Sequence, residues 1–176
     1  MNSIALIEFS SMAQGIGYTH SAIKNTNVLL HKQELMCPGK YVVMLKGRPQ
    51  ALDFAKGLLN EVDTVIHSTF LYKLHPTVMA SINRSVDYKK GGNYIVIETK
   101  YFVDSIALGD ALVKQTNLCI ERVVDRLGLF GKGLLICSGS SSQLQLAKQV
   151  VTSADYEQTV VSVAILEAVQ EDVFNF

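Results

Sequence analysis

Residues Ile4-Ala5-Leu6-Ile7-Glu8 and Tyr94-Ile95-Val96-Ile97-Glu98 spell one short apolar run closed by one acid, 90 residues apart. A second pair, Ile23-Lys24-Asn25-Thr26-Asn27-Val28 and Val113-Lys114-Gln115-Thr116-Asn117-Leu118, keeps that spacing. The spacing then widens to 92, where Gly39-Lys40 meets Gly131-Lys132, Gly47 meets Gly139, and Ala55-Lys56 meets Ala147-Lys148. It ends at 95, pairing Thr64-Val65 with Thr159-Val160. Order that survives while spacing drifts marks a duplicated unit with loop insertions, and a repeat must be recognised before any element is assigned. Two copies follow, 1–86 and 92–176, joined across the basic, glycine-bearing stretch Asp87-Tyr88-Lys89-Lys90-Gly91-Gly92.

Both copies predict the same elements. Ile4 to Phe9 and Tyr94 to Thr99 read as strands. Helices follow, with Met12, Ile16 and Ile23 spaced for one face and matched by Phe102, Ile106 and Val113. Gly15, Gly17 and Gly109 lower helix propensity there, which points to a face packed closely on something. Two strands around a glycine turn come next: Val28 to Leu35 and Tyr41 to Leu45 around Cys37-Pro38-Gly39, then Leu118 to Val124 and Leu134 to Cys137 around Phe130-Gly131. A second helix, Pro49 to Asn60 or Ser142 to Thr152, precedes a last strand, Thr64 to Leu71 or Thr159 to Leu166. Pro49 suits a first helical turn, where its missing N–H costs nothing. This β-α-β-β-α-β order is the split βαβ, ferredoxin-like arrangement of the α/β (α+β) class. A core drawn from so short a copy is modest, so burial against other copies or chains is expected.

Composition narrows the function. Among 176 residues, 16 Lys+Arg balance 16 Asp+Glu, and no basic cluster is available to neutralise a nucleic-acid backbone. A hydrophobic content of 48% with three prolines excludes a disordered chain. The longest uncharged apolar candidate, Gly133 to Ala147, is shorter than the roughly 18 residues needed to span a bilayer and holds a Ser-Gln tract, so a soluble protein is expected. The opening residues lack the basic n-region of a signal peptide. Three scattered cysteines make no disulfide framework and fit a reducing cytoplasm.

The ordered set of the Ile-Glu strand, the helix ends Lys24-x-x-Asn27 and Lys114-x-x-Asn117, the glycine turn before an apolar strand ending Lys46-Gly47 or Ser138-Gly139, and the following Ala-Lys helix resembles the bacterial microcompartment shell domain. The resemblance runs over nearly the whole chain, twice. It implies a non-enzymatic shell component in the bacterial cytoplasm, assembled as a homotrimer whose six domains imitate a hexamer, of the non-permuted tandem type. Other shell proteins would be its neighbours, with encapsulated redox enzymes as further partners. Lys24, Asn27, Lys114 and Asn117 would be shell-edge contacts, joined by Lys73. Opposite Lys73 stands Ala168, so the edges should be unequal.

The same resemblance turns the glycine turns toward a central pore, and the two differ: Met36-Cys37-Pro38-Gly39 in the first copy, Leu129-Phe130-Gly131 in the second. Cys-Pro-Gly at this place is similar to the iron–sulfur members of the family, which implies that Cys37 and its two symmetry mates bind one [4Fe–4S] cluster per trimer for electron relay across the shell. Leu129 and Phe130 would then form an apolar collar away from the axis. Thiolate preference and a rigid Pro-Gly turn suit this chemistry. A pore-lining free thiol, an adventitious zinc site and a plain turn residue stay open for Cys37, as does a metal-free metabolite pore for the whole assembly. Outside the shell class, a tandem ferredoxin-like module binding a small effector is the competing reading.

The remaining candidates point to structure. Cys119 and Cys137, flanked by apolar residues, read as small buried hydrophobes. His20, His31, His67 and His75 lack metal-ligand spacing and read as surface or interface residues. The Gly-Lys pairs fall outside any phosphate-loop pattern. Ser138 to Ser142 reads as a helix cap and loop, Glu171-Asp172 as solvated surface, and Glu8 and Glu98 as recurring structural positions.

Overall fold

A computed structural model describes residues 3–82, 84–124 and 131–176. The first copy runs β1 (Ile4–Phe9), α1 (Met12–Asn25), β2 (Leu29–Met36), β3 (Lys40–Lys46), α2 (Pro49–Leu58) and β4 (Val65–Leu71), followed by the short α3 (Pro76–Ala80). The second runs β5 (Gly92–Thr99), α4 (Phe102–Thr116), β6 (Cys119–Val124), β7 (Gly133–Ser138), α5 (Ser141–Val151) and β8 (Val160–Val169). Each copy builds a four-stranded antiparallel sheet, ordered β2-β3-β1-β4 and β6-β7-β5-β8. α1, α2, α4 and α5 each thus join two strands of like direction with a third strand between them, the split βαβ arrangement.

Duplication reaches below the level of elements. The ladder irregularity at Leu30/Lys32 recurs at Ile120/Arg122, and that at Glu8/Phe9 recurs at Glu98/Thr99. Lys73 and Ala168, which close β4 and the corresponding stretch of β8, both hold left-handed backbone, φ 60° and 48°. Neither is glycine, so both copies keep the bend at a conformational cost.

The chain divides into two compact units, Met1–Leu74 and His75–Phe176. Residues 75–82 and 84–86, assigned to the first copy on sequence, belong to the second unit: the His75 N–H donates to Asp110 Oδ1 at 2.8 Å, Ile82 bridges Val123, and Val123 N–H donates to the Ser81 carbonyl at 2.9 Å.

In the first unit the core lies between the sheet and the helices, with Ala5, Ile7, Phe9, Val43 and Leu45 buried against Tyr18, Ala22, Leu52 and Ala55. α1 does not bury the face its apolar spacing indicates. Met12, Ile16 and Ile23 are exposed, and Gly15, Tyr18, Thr19 and Ala22 are inside. The reason is close approach: a Cβ on Gly15 would stand 2.5 Å from the Tyr41 ring and 2.9 Å from the Phe9 ring. The small-residue stripe lets the helix settle onto those rings, and the Tyr18 hydroxyl donates to the Ala55 carbonyl at 2.9 Å. Gly17, by contrast, faces open space and makes no close contact. In α4 the matched residues Phe102 and Ile106 are buried as expected. α5 starts at a capping box, with Ser140 accepting from the Gln143 N–H and the Gln143 side chain accepting from the Ser140 N–H. Beyond β8, the Phe174 ring packs on Tyr94 at 4.8 Å between centroids. Among the described residues no helix is long and apolar enough to cross a membrane.

Candidate functional site

The β2–β3 connection is three residues long, Cys37-Pro38-Gly39. Gly39 adopts φ +72°, a conformation that side chains rarely take, although a Cβ there would meet no atom within 4 Å. The turn therefore needs glycine for its backbone and stands clear of the rest of its unit. Cys37 and Pro38 are exposed on it, while Met36 before them is buried. The Cys37–Pro38 peptide is cis.

An ion pair roots the turn. Lys40 Nζ lies 2.6 Å from Glu8 Oε1, and the Glu8 side chain is fully buried. The second copy repeats the pair as Lys132 and Glu98, also 2.6 Å apart, in a more open setting. There Ser162 Oγ donates to Glu98 Oε2 at 3.0 Å, and these hydrogen bonds hold the Glu98 carboxyl below the usual carboxylate range. Among the described residues, Glu8 Oε2 has no hydrogen-bond partner. Sequence matching found Glu8 with Glu98 and Lys40 with Lys132, and missed that each acid binds the lysine beside the turn. Gly131 keeps the left-handed backbone of its counterpart Gly39, φ +83°. Leu129 and Phe130, the proposed collar, lie outside the described residues.

The other thiols belong to a different sheet. Cys137 on β7 is buried, as expected, and burial pushes its thiol far up. Cys119 is exposed, contrary to expectation, because it opens β6 at the sheet's end. Desolvation and the Glu121 carboxylate nonetheless push its thiol up. Among the described residues no group of three or more His, Cys, Asp or Glu gathers to hold a metal. One exposed thiol on a rigid turn fits a thiolate-ligated cluster on one condition, that further copies of the chain bring their own. The four histidines are exposed or half-buried.

The edge candidates lie at the helix ends. Lys24 and Asn27 are exposed at the end of α1. Lys114 bonds Asp110 at 2.6 Å, one turn away, and Asn117 ends α4 in left-handed backbone, φ 54°. The Gln143 side chain covers that end, donating to the carbonyls of Thr116 and Asn117 at 3.2 and 3.1 Å. Its counterpart in the first copy is Ala51, which cannot. There a cavity of about 700 Å³ opens instead, lined by Asn25, Thr26, Asn27, Arg48, Ala51 and Phe54.

Comparison with known proteins agrees with this architecture. Residues 3–72 match the BMC domain. The chain is 28% identical over 160 residues to the bacterial microcompartment shell protein PduT of Citrobacter freundii, spanning 89% of this chain and 86% of that protein. A microcompartments protein from Desulfitobacterium hafniense superimposes with a TM-score of 0.80 at 23% identity, over 96% of this chain and 95% of that one. A double-ringed trimeric shell protein of the RMM microcompartment does so with a TM-score of 0.65 at 14% identity, over 86% and 81%. At these identities the two solved structures speak for the fold.

Proposed function

We propose that this chain, a homologue of bacterial microcompartment shell proteins with a BMC domain at residues 3–72, closes as a homotrimer in a shell facet and holds one [4Fe–4S] cluster through three copies of Cys37. The observation that carries the cluster is the turn itself: an exposed thiol held between a buried strand end and a glycine-bent backbone, on a different sheet from the other two cysteines. A protein dedicated to wall-building needs no catalytic constellation, and the residues of this turn are suited to positioning. Met36 and the Glu8–Lys40 pair fix its base, Pro38 and Gly39 set its shape, and Cys37 presents sulfur to its symmetry mates. When bound, such a cluster supplies one-electron transfer, which in a shell wall would link redox enzymes inside with carriers outside. Cys119 and Cys137 stay out of the site, one at the end of a sheet and the other sealed in a core.

Anaerobic reconstitution with iron and sulfide tests this reading. The expected product is brown, with broad visible absorbance and an electron paramagnetic resonance signal in its paramagnetic redox state, both lost in Cys37→Ser. A colourless trimer removes the redox role and leaves a metal-free pore, and colour that survives Cys37→Ser removes Cys37 as the ligand.

A further inference from the structure

The two copies carry matching apolar surfaces, and one of them is uncovered. Ile106 on α4 is 0% exposed, while its counterpart on α1, Ile16, is 53% exposed. Ile120 on β6 is 2% exposed, against 39% for Leu30 on β2. Part of the cover on α4 and β6 is the segment that follows β4: α3 contacts both elements, Val78 is 0% exposed, and the His75 N–H donates to Asp110 on α4. The 95-residue spacing that pairs β4 with β8, and Lys73 with Ala168, pairs residues 75–81 with 170–176. Val173, which stands where Val78 does, is 56% exposed. One chain therefore holds both an uncovered α1–β2 face and a segment, matched to the one that covers its counterpart, whose Val173 covers nothing.

Resting on the trimeric shell reading, we infer that residues 170–176 of one copy dock on α1 and β2 of a second copy, with Val173 taking the place that Val78 takes on α4 and β6. The tail is already presented for this. Phe174 is buried on Tyr94 and Arg122 donates to the Phe174 and Phe176 carbonyls at 3.4 Å, which ties the end of the segment to its own unit and leaves Val173 outside. His20 occupies the position of Asp110, and a neutral imidazole nitrogen can accept the Gln170 N–H as the carboxylate accepts that of His75. The contact joins two different patches, so it runs head to tail and generates a ring when its rotation closes.

The test uses the full chain. His20→Cys/Gln170→Cys, mildly oxidised, should give covalent dimers and trimers on a non-reducing gel, joined by a 20–170 disulfide peptide in mass spectrometry and absent from either single variant. Val173→Glu, whose residue is exposed in the single chain, should keep the parent's circular dichroism spectrum and weaken trimer association at least tenfold by light scattering. A trimer that survives Val173→Glu and forms no 20–170 disulfide overturns tail docking while leaving the shell trimer in place. An unaltered chain that stays monomeric at all concentrations overturns the trimeric reading and the docking with it.

Discussion

Cys37 and Cys137 contain the same thiol in opposite surroundings, one on an open turn and the other sealed in a core where burial pushes its thiol far up. Nucleophilic reactivity belongs to the thiolate, so alkylation of metal-free protein near pH 8 should label Cys37 first, Cys119 more slowly and Cys137 only on unfolding. Mass spectrometry over a time course reads this order directly, and early labelling of Cys137 would contradict it. The paired lysines offer a second residue-scale test. Lys40→Met leaves Glu8 buried and uncompensated, which should cost about 3–5 kcal/mol in denaturant unfolding. Lys132→Met exposes a carboxylate that water already reaches, and should cost less than about 1 kcal/mol. The turn was legible in sequence because Cys-Pro-Gly between two strand patterns has a local meaning. The Glu–Lys pairs were not, since their members are 32 and 34 residues apart and only the β1–β3 and β5–β7 ladders bring them together.

Strands and helices came out near their expected bounds, because each is written in local periodicity and repeated in the second copy. What periodicity could not decide was the inward face of α1, where a stripe of Met12, Ile16 and Ile23 competes with one of Gly15, Tyr18 and Ala22. The larger apolar stripe lost because close approach to Phe9 and Tyr41 requires a residue without a side chain. Gly15→Ala, which would raise helix propensity on an open surface, should therefore destabilise the fold by about 1–3 kcal/mol through overpacking. Ala168→Gly should do the reverse. Relieving a side chain held at φ 48° is expected to raise stability by about 0.5–1 kcal/mol in the same unfolding measurement. At the proposed edge positions, Lys73 against Ala168 already indicated inequality in the sequence. The structure adds a second source of it, the Gln143 side chain that fills one helix end where Ala51 leaves the other open.

On the scale of the whole molecule, duplication explains why one chain can present two unlike glycine turns and two unlike helix ends on one fold. The apolar excess in the composition goes partly into two cores and partly into the α1–β2 face, which stays open in the single chain. The proposed assembly rests on family resemblance and on that mismatch between matched surfaces, because nothing in a linear sequence counts the copies around an axis. The cluster and the trimer are one claim, since a single chain brings one exposed turn thiol and three chains bring three. Native mass spectrometry of anaerobically reconstituted protein weighs both at once. The expected species has a mass of about 58 kDa, three chains of 19.3 kDa, and carries one [4Fe–4S] cluster that Cys37→Ser removes without dissolving the trimer. A trimer free of iron and indistinguishable from Cys37→Ser, or iron bound to single chains, would contradict that claim.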